Sequence, residues 1–145
     1  MQRKMAKKAL PSGLVHFLGR SSPELLGLVV TFLRKLSVVA ENAPLLARAE
    51  LGLVPRLGRL VTCGHEGLTR ATLRLCYNLS FVAAQRAAMA AGGLVPKFVE
   101  LLKRPPFRAV TLRLLYHLSC DDGCKPHFFR TPAIPIVMQV RSLTD

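Results

Sequence analysis

The sequence predicts an all-α solenoid of stacked helical units, on three observations. First, three segments align without gaps: Leu28-Val-Val-Thr-Phe-Leu-Arg-Lys-Leu-Ser37, Ala71-Thr-Leu-Arg-Leu-Cys-Tyr-Asn-Leu-Ser80 and Val110-Thr-Leu-Arg-Leu-Leu-Tyr-His-Leu-Ser119, their terminal serines 43 and 39 residues apart. Second, a proline-bearing motif follows each: Leu51-Gly-Leu-Val-Pro55, Gly92-Gly-Leu-Val-Pro96 and Pro132-Ala-Ile-Pro135, at Ser-to-Pro intervals of 18, 16 and 16 residues. Third, the apolar residues recur at i, i+3, i+4 and i+7 and do not alternate, which is the period of a helix face. A repeating unit that cannot bury its apolar face alone must stack on its neighbours.

Taken in order, the pattern reads as helices over 3–9 and 11–19, a long helix over 23–37, a short one over 41–50 and another over 53–61. A long helix over 66–80, a short one over 83–91, a helix over 94–103 and a long one over 107–119 come next, then 123–130 and 134–142. Ser22-Pro23-Glu24 starts the first long helix: a serine hydroxyl caps orphan amides, proline suits the first turn, and a carboxylate meets the positive end of the helix dipole. Gly-Leu-Val-Pro starts other helices, its glycine turning the corner and its proline sitting where no amide is needed. The inward stripe reads Leu25, Leu28, Val29, Phe32, Leu33 and Leu36 in the first long helix. Its counterparts are Leu68, Ala71, Thr72, Leu75, Cys76 and Leu79, then Phe107, Val110, Thr111, Leu114, Leu115 and Leu118. A period of about 40 residues falls in the range of armadillo and HEAT repeats. The expected organisation is one right-handed armadillo-type segment over 1–145, with a partial repeat at 1–37, repeats at 41–80 and 83–119, and a partial repeat at 123–145. Val137, Met138 and Val140 leave the last helix apolar with no following layer, as in a piece of a longer array.

Composition narrows the function. The chain has 145 residues, half of them apolar, with 21 Lys+Arg against 8 Asp+Glu for a formal charge of +13. That length and apolar share fit one domain with a real core and exclude a disordered basic tail. Charge-free stretches such as Leu75–Gln85 run to 11 residues, well short of the roughly 20 that a spanning helix needs. The basic start, Met1 to Lys8, is followed by no apolar core of a secretory signal. Cys63, Cys76, Cys120 and Cys124 in a helical chain read as reduced cytosolic thiols.

Further motifs exceed a generic solenoid. Glu24-Leu-Leu-Gly-Leu-Val-Val-Thr-Phe-Leu-Arg-Lys-Leu-Ser37, Glu41-Asn42, Cys63-Gly-His-Glu66, Thr72-Leu-Arg-Leu-Cys-Tyr-Asn-Leu-Ser-Phe81 and Leu115-Tyr-His-Leu-Ser-Cys-Asp-Asp122 closely resemble the armadillo region of the kinesin-associated protein family, the non-motor accessory subunits of heterotrimeric kinesin-II. The resemblance runs from about Met5 to Val140. Members of that family are far longer, and the tail Arg141-Ser-Leu-Thr-Asp145 leaves the pattern, which suggests a fragment or short isoform. The resemblance implies a cytoplasmic, microtubule-associated and ciliary scaffold. It would join motor subunits near their tails and link them to cargo adaptors, including those of intraflagellar transport.

It also implies that the long helices line a groove. Thr31 with Lys35, Arg74 with Asn78 and Arg113 with His117 are i, i+4 pairs at equivalent positions on the exposed ridge. Asn78 stands where armadillo proteins place an asparagine that holds a ligand's main chain. Lys35, Arg74, Asn78, Arg113 and His117 are therefore the candidate site, for acidic peptide segments; the plain alternative is a solvated basic face. A basic helical module for nucleic acid is the alternative from another class. Its requirements, clustered cations and exposed aromatics, are poorly met by basic residues spread along the chain. His117, Cys120, Cys124 and His127 offer four ligand types, but the paired spacing of a zinc knuckle is missing, so no metal and no cofactor are expected. No catalytic site is expected either: carboxylates are scattered, Gly92-Gly93 precede no Lys-Ser/Thr, and Cys76 falls on the buried stripe, where thiols are inert. Asp121 and Asp122 sit where aspartate caps a following helix. Ser21 or Ser22 before Pro23 could take a phosphate, although capping alone explains a serine there.

Overall fold

A computed structural model describes the backbone of residues 2–144 and the side chains of residues 10–137 and of Gln139. Within them the chain is all-α, without a strand. Helix α1 spans Gln2–Phe17, α2 Pro23–Ser37, α3 Ala43–Leu46, α4 Leu53–Leu60, α5 Glu66–Leu79, α6 Ala83–Ala91, α7 Leu94–Leu101, α8 Pro105–Ser119 and α9 Ala133–Thr144. The three aligned segments form the bodies of α2, α5 and α8, which stack side by side, α5 between the other two; α4 packs against α5, and α7 against α8.

The local signals operate as the sequence implies. The Ser22 hydroxyl accepts the Leu25 amide at 3.3 Å and donates to Glu24 at 3.0 Å. Backbone and Ser22 hydrogen bonds hold the Glu24 carboxyl below its usual range. Gly52 (φ 59°) and Gly93 (φ 75°) take the left-handed conformation directly before Leu53 and Leu94, a turn that a side chain would strain. Helix α5 is capped by an imidazole: His65 Nδ1 accepts the Leu68 amide at 3.1 Å.

Leu33, Leu57, Leu73, Leu75, Phe98, Phe107, Leu114 and Leu118 are wholly buried and form one continuous core. Each such burial stabilises by about 1.5–3 kcal/mol. Thr72 and Thr111, on the apolar stripe, are also buried, each donating to the carbonyl four residues earlier, Leu68 and Phe107. Burial pushes the Cys76 thiol up to about 12. Cys124 is buried, while Cys63 and Cys120 are exposed, and all four are free.

Four expectations need correcting. The stripe of α2 is turned: Leu26, Val29, Val30 and Leu33 are buried, whereas Leu25, Leu28 (63% exposed) and Phe32 (56%) face outward. Of their counterparts on α5 and α8, Leu68, Leu75, Phe107 and Leu114 are buried and Ala71 and Val110 half-buried; α2 packs far more closely on α5 than on α1. The expected break between 9 and 11 is absent, since α1 runs through Pro11, which is buried. Residues 41–50 do not form one helix. Turns of 3-10 helix at Ala40–Asn42 and Ala49–Leu51 flank the single-turn α3, because Pro44 starts a new helix and Gly52 stops the chain. Likewise 123–130 holds only the 3-10 turn Lys125–His127, with Gly123 tied to Asp121 Oδ1 at 3.0 Å and Pro126 interrupting. Val137 is exposed as anticipated; Met138, Val140 and the side chains of the tail 141–145 lie outside the described residues.

Candidate partner-binding ridge

The aligned segments each end on a serine whose hydroxyl donates to the carbonyl three residues back: Ser37 to Arg34 and Ser80 to Tyr77 at 2.6 Å, Ser119 to Tyr116 at 2.7 Å. Its lone proton spent, each hydroxyl can only accept from elsewhere. The next helix supplies the donor. Asn78 Nδ2 donates to Ser37 Oγ at 3.1 Å, and His117 Nδ1 lies 2.6 Å from Ser80 Oγ. His117 must therefore carry its proton on Nδ1, leaving Nε2 for another partner. Its ring stacks on Tyr77, with centroids 5.0 Å apart, and meets Phe81 edge-on at 4.5 Å. Equivalent positions in consecutive repeats thus tie the C-terminal ends of α2, α5 and α8 into a row.

This divides the five candidate residues. Asn78 and His117 are half-buried and use one hydrogen-bonding group each to link helices. Asn78 keeps its oxygen and its second amide hydrogen. Lys35, Arg74 and Arg113 are exposed, and no hydrogen bond or ion pair joins them to the described residues. Several other basic side chains are engaged. Arg86 bridges Asp121 and the Ser80 carbonyl, both at 2.9 Å; Lys97 donates to the Gly58 carbonyl at 2.8 Å; Arg108 donates to the Leu102 carbonyl; and Arg104 lies over the Phe107 ring at 4.7 Å. Lys35, Arg74 and Arg113 stay unengaged on the ridge, as Arg20, Arg48, Arg56, Arg59 and Arg130 do elsewhere among the described residues.

The ridge also holds two arginines that the spacing argument passed over. Arg34, Arg70 and Arg74, with Thr31, Gly67 and Ala71, line a hollow of about 120 Å³ between α2 and α5. Arg70 extends the Arg74–Asn78 row by one more i, i+4 step, which was legible. Arg34 lies one residue before Lys35, at the register position of Tyr77 and Tyr116, and only the packed pair of helices brings it to Arg74. A larger hollow of about 540 Å³, lined by Val15, His16, Leu45, Arg48 and Arg56 among others, contains none of the ridge residues.

Elsewhere the chemistry is structural. His117, Cys120, Cys124 and His127 do not converge: among the described residues no three His, Cys, Asp or Glu side chains are grouped as an ion would need. Cys124 instead donates to the Arg86 carbonyl, and burial with the nearby Asp121 charge raises its thiol. Asp121 closes the Gly123 turn and pairs with Arg86, so the aspartate serves a turn and a bridge from the end of α8 to α6. No helix among the described residues is long and apolar enough to cross a membrane.

Compared with known families, residues 1–144 match the family model described as kinesin-associated protein (KAP). The match takes in α2, α5 and α8 and every candidate residue on their ridge. The chain belongs to the kinesin-associated protein family.

Proposed function

We propose that the chain is a non-catalytic scaffold whose helices form an armadillo-type solenoid, and that Lys35, Arg74, Asn78, Arg113 and His117 line its partner-binding groove. The partners are acidic segments of the kinesin-II motor tails. Cargo adaptors of microtubule-based and intraflagellar transport are held through the same assembly, in the cytoplasm and the cilium. The observation that carries this reading is the row of cations without a partner among the described residues, Lys35, Arg74 and Arg113, on helices whose ends are fixed to one another by Asn78 and His117. A rigid ladder presents its donors at fixed spacing, so a bound segment need not order them first. Guanidinium forks suit carboxylates in two-pronged contacts, and the remaining amide groups of Asn78 suit a main chain.

The test is fluorescence anisotropy of labelled kinesin-II tail segments at physiological salt, with the unaltered chain and an Arg74→Glu/Arg113→Glu variant of equal helicity. Saturable binding should weaken at least about tenfold in the variant, as the loss of two charged hydrogen bonds implies. Equal binding by both would remove the groove from the site while leaving the scaffold reading; no binding by the folded chain would refute the motor-tail partner.

A further inference from the structure

The hollow between α2 and α5 differs in chemistry from its register equivalents. Position for position, Arg34 corresponds to Tyr77, Arg70 to Ala109, Arg74 to Arg113 and Gly67 to Pro106 at the α5–α8 junction. There Tyr77 is half-buried and stacked on His117. At the α2–α5 junction the corresponding place is lined by three guanidinium-bearing side chains together with Thr31, Gly67 and Ala71. Arg34 and Arg74 have no hydrogen-bonded or ionic partner among the described residues. Arg70 has only Glu66, in a half-exposed i, i+4 pair at 2.9 Å, a contact of the weakly stabilising kind. Thr31 spends its hydroxyl proton on the Gly27 carbonyl at 2.8 Å, so it adds no donor.

Three like charges around one recess repel each other, and among the described residues only Glu66 pairs with one of them. At about 120 Å³ the recess is smaller than the roughly 300 Å³ at which pockets start to enclose a drug-sized molecule. It has the scale of a single oxyanion group. Guanidinium forks match the oxygens of a phosphate in bidentate pairs, and a dianion offsets more of the clustered charge than one carboxylate does.

We propose that the Arg34–Arg70–Arg74 hollow binds a phosphomonoester, the phosphoserine or phosphothreonine of a partner segment lying along the ridge. Phosphorylation of the partner then strengthens its docking. This rests on the groove reading above and adds a subsite to it. A protein-borne phosphate is favoured over a lipid headgroup because Arg74, which lines the hollow, is also a member of the ridge row with Asn78 and Arg113.

The test uses the full chain and two fluorescein-labelled acidic peptides, identical except that one central serine is phosphorylated, together with vesicles of phosphatidylcholine containing phosphatidylinositol 4-phosphate. Anisotropy titrations at physiological salt compare the unaltered chain with Arg34→Gln, which keeps the aliphatic stem, and with Arg113→Gln, which lies outside the hollow. Circular dichroism checks that both variants are folded. The phosphopeptide should bind at least about tenfold more tightly than its partner. Arg34→Gln should abolish most of that preference, Arg113→Gln should weaken both peptides without changing their ratio, and the preference should shrink as the pH falls below about 6, where the second phosphate proton returns. Equal binding of the two peptides overturns the hollow and leaves the groove; a preference untouched by Arg34→Gln also overturns it. Failure of both peptides to bind overturns hollow and groove together. Binding of the vesicles but not the phosphopeptide overturns the protein-borne source.

Discussion

Ser80 gives its one proton to the Tyr77 carbonyl and so receives the His117 Nδ1 proton, while Ser119 makes the same internal bond with no described residue donating to it. The pair therefore measures what an inter-repeat bond is worth. Ser80→Ala should cost about 1 kcal/mol, because it strands the half-buried Nδ1–H, whereas Ser119→Ala should stay within about 0.5 kcal/mol; urea unfolding of the two variants would show it, and equal losses would deny the ladder any energetic role. Asp121 is the second residue whose environment has a measurable consequence. The Arg86 hydrogen bond first, and the Gly123 amide next, hold its carboxyl below the usual carboxylate range. The folded chain thus releases this proton more readily than the unfolded one. Its stabilisation is complete above about pH 4, the unfolded carboxylate value, and is lost as the pH falls through the lower folded value. Melting temperatures between pH 5 and pH 2.5 should fall less steeply for Asp121→Asn than for the unaltered chain; parallel curves would refute the linkage. At this scale the sequence exposed the free cations, since the register of the aligned segments alone puts Arg74 and Arg113 at equivalent positions. It could not expose the partners of Asn78 and His117, which stand 41 and 37 residues away and meet only once the helices are in register.

Between helices, two glycines separate propensity from packing. A methyl at Gly27, in α2, would meet nothing within 4 Å, whereas one at Gly58, in α4, would stand 3.0 Å from Leu94 Cδ1. Leu94 is 2% exposed and so has little room to yield. Gly27→Ala should therefore gain close to the full helix-propensity difference, up to about 1 kcal/mol. Gly58→Ala gains the same term and loses about 1–3 kcal/mol to overpacking, with the Lys97–Gly58 hydrogen bond at the same α4–α7 junction disturbed. Thermal melts should move in opposite directions, and a stabilised Gly58→Ala would show that α4 and α7 can separate without loss. Helix boundaries were legible wherever caps and period agreed: α2 and α6 begin and end where the sequence places them. They failed where prolines acted in context. Pro11 sits inside a helix and not at its start, and Pro44 splits a segment whose alanines and leucines favour helix throughout. Periodicity counts apolar residues and does not say which proline the packing tolerates.

Across the whole stack, the same register position means different things in different helices. Phe32, Leu75 and Leu114 align, yet Phe32 is 56% exposed while Leu75 and Leu114 are at 0%. An apolar stripe read from one helix marks the face that a neighbour would cover, and burial then depends on where in the stack that helix stands. This is why the stripe held for α5 and α8 and turned on α2. The difference predicts unequal costs for equivalent substitutions. Leu75→Ala removes a side chain enclosed on every side and should cost about 2–5 kcal/mol. Phe32→Ser, at the aligned position, should shift stability by no more than about 0.5 kcal/mol, as surface changes do. Unfolding of both variants at low protein concentration measures this directly. A large cost for Phe32→Ser would mean that the outer face of α2 is covered in solution, and sedimentation of the unaltered chain would then have to reveal an assembly. With a net charge of +13 per chain, copies repel one another strongly. Any such assembly should therefore strengthen with added salt, whereas docking of an acidic segment on the Arg74–Arg113 ridge should weaken, so a salt series separates the two contacts on one molecule.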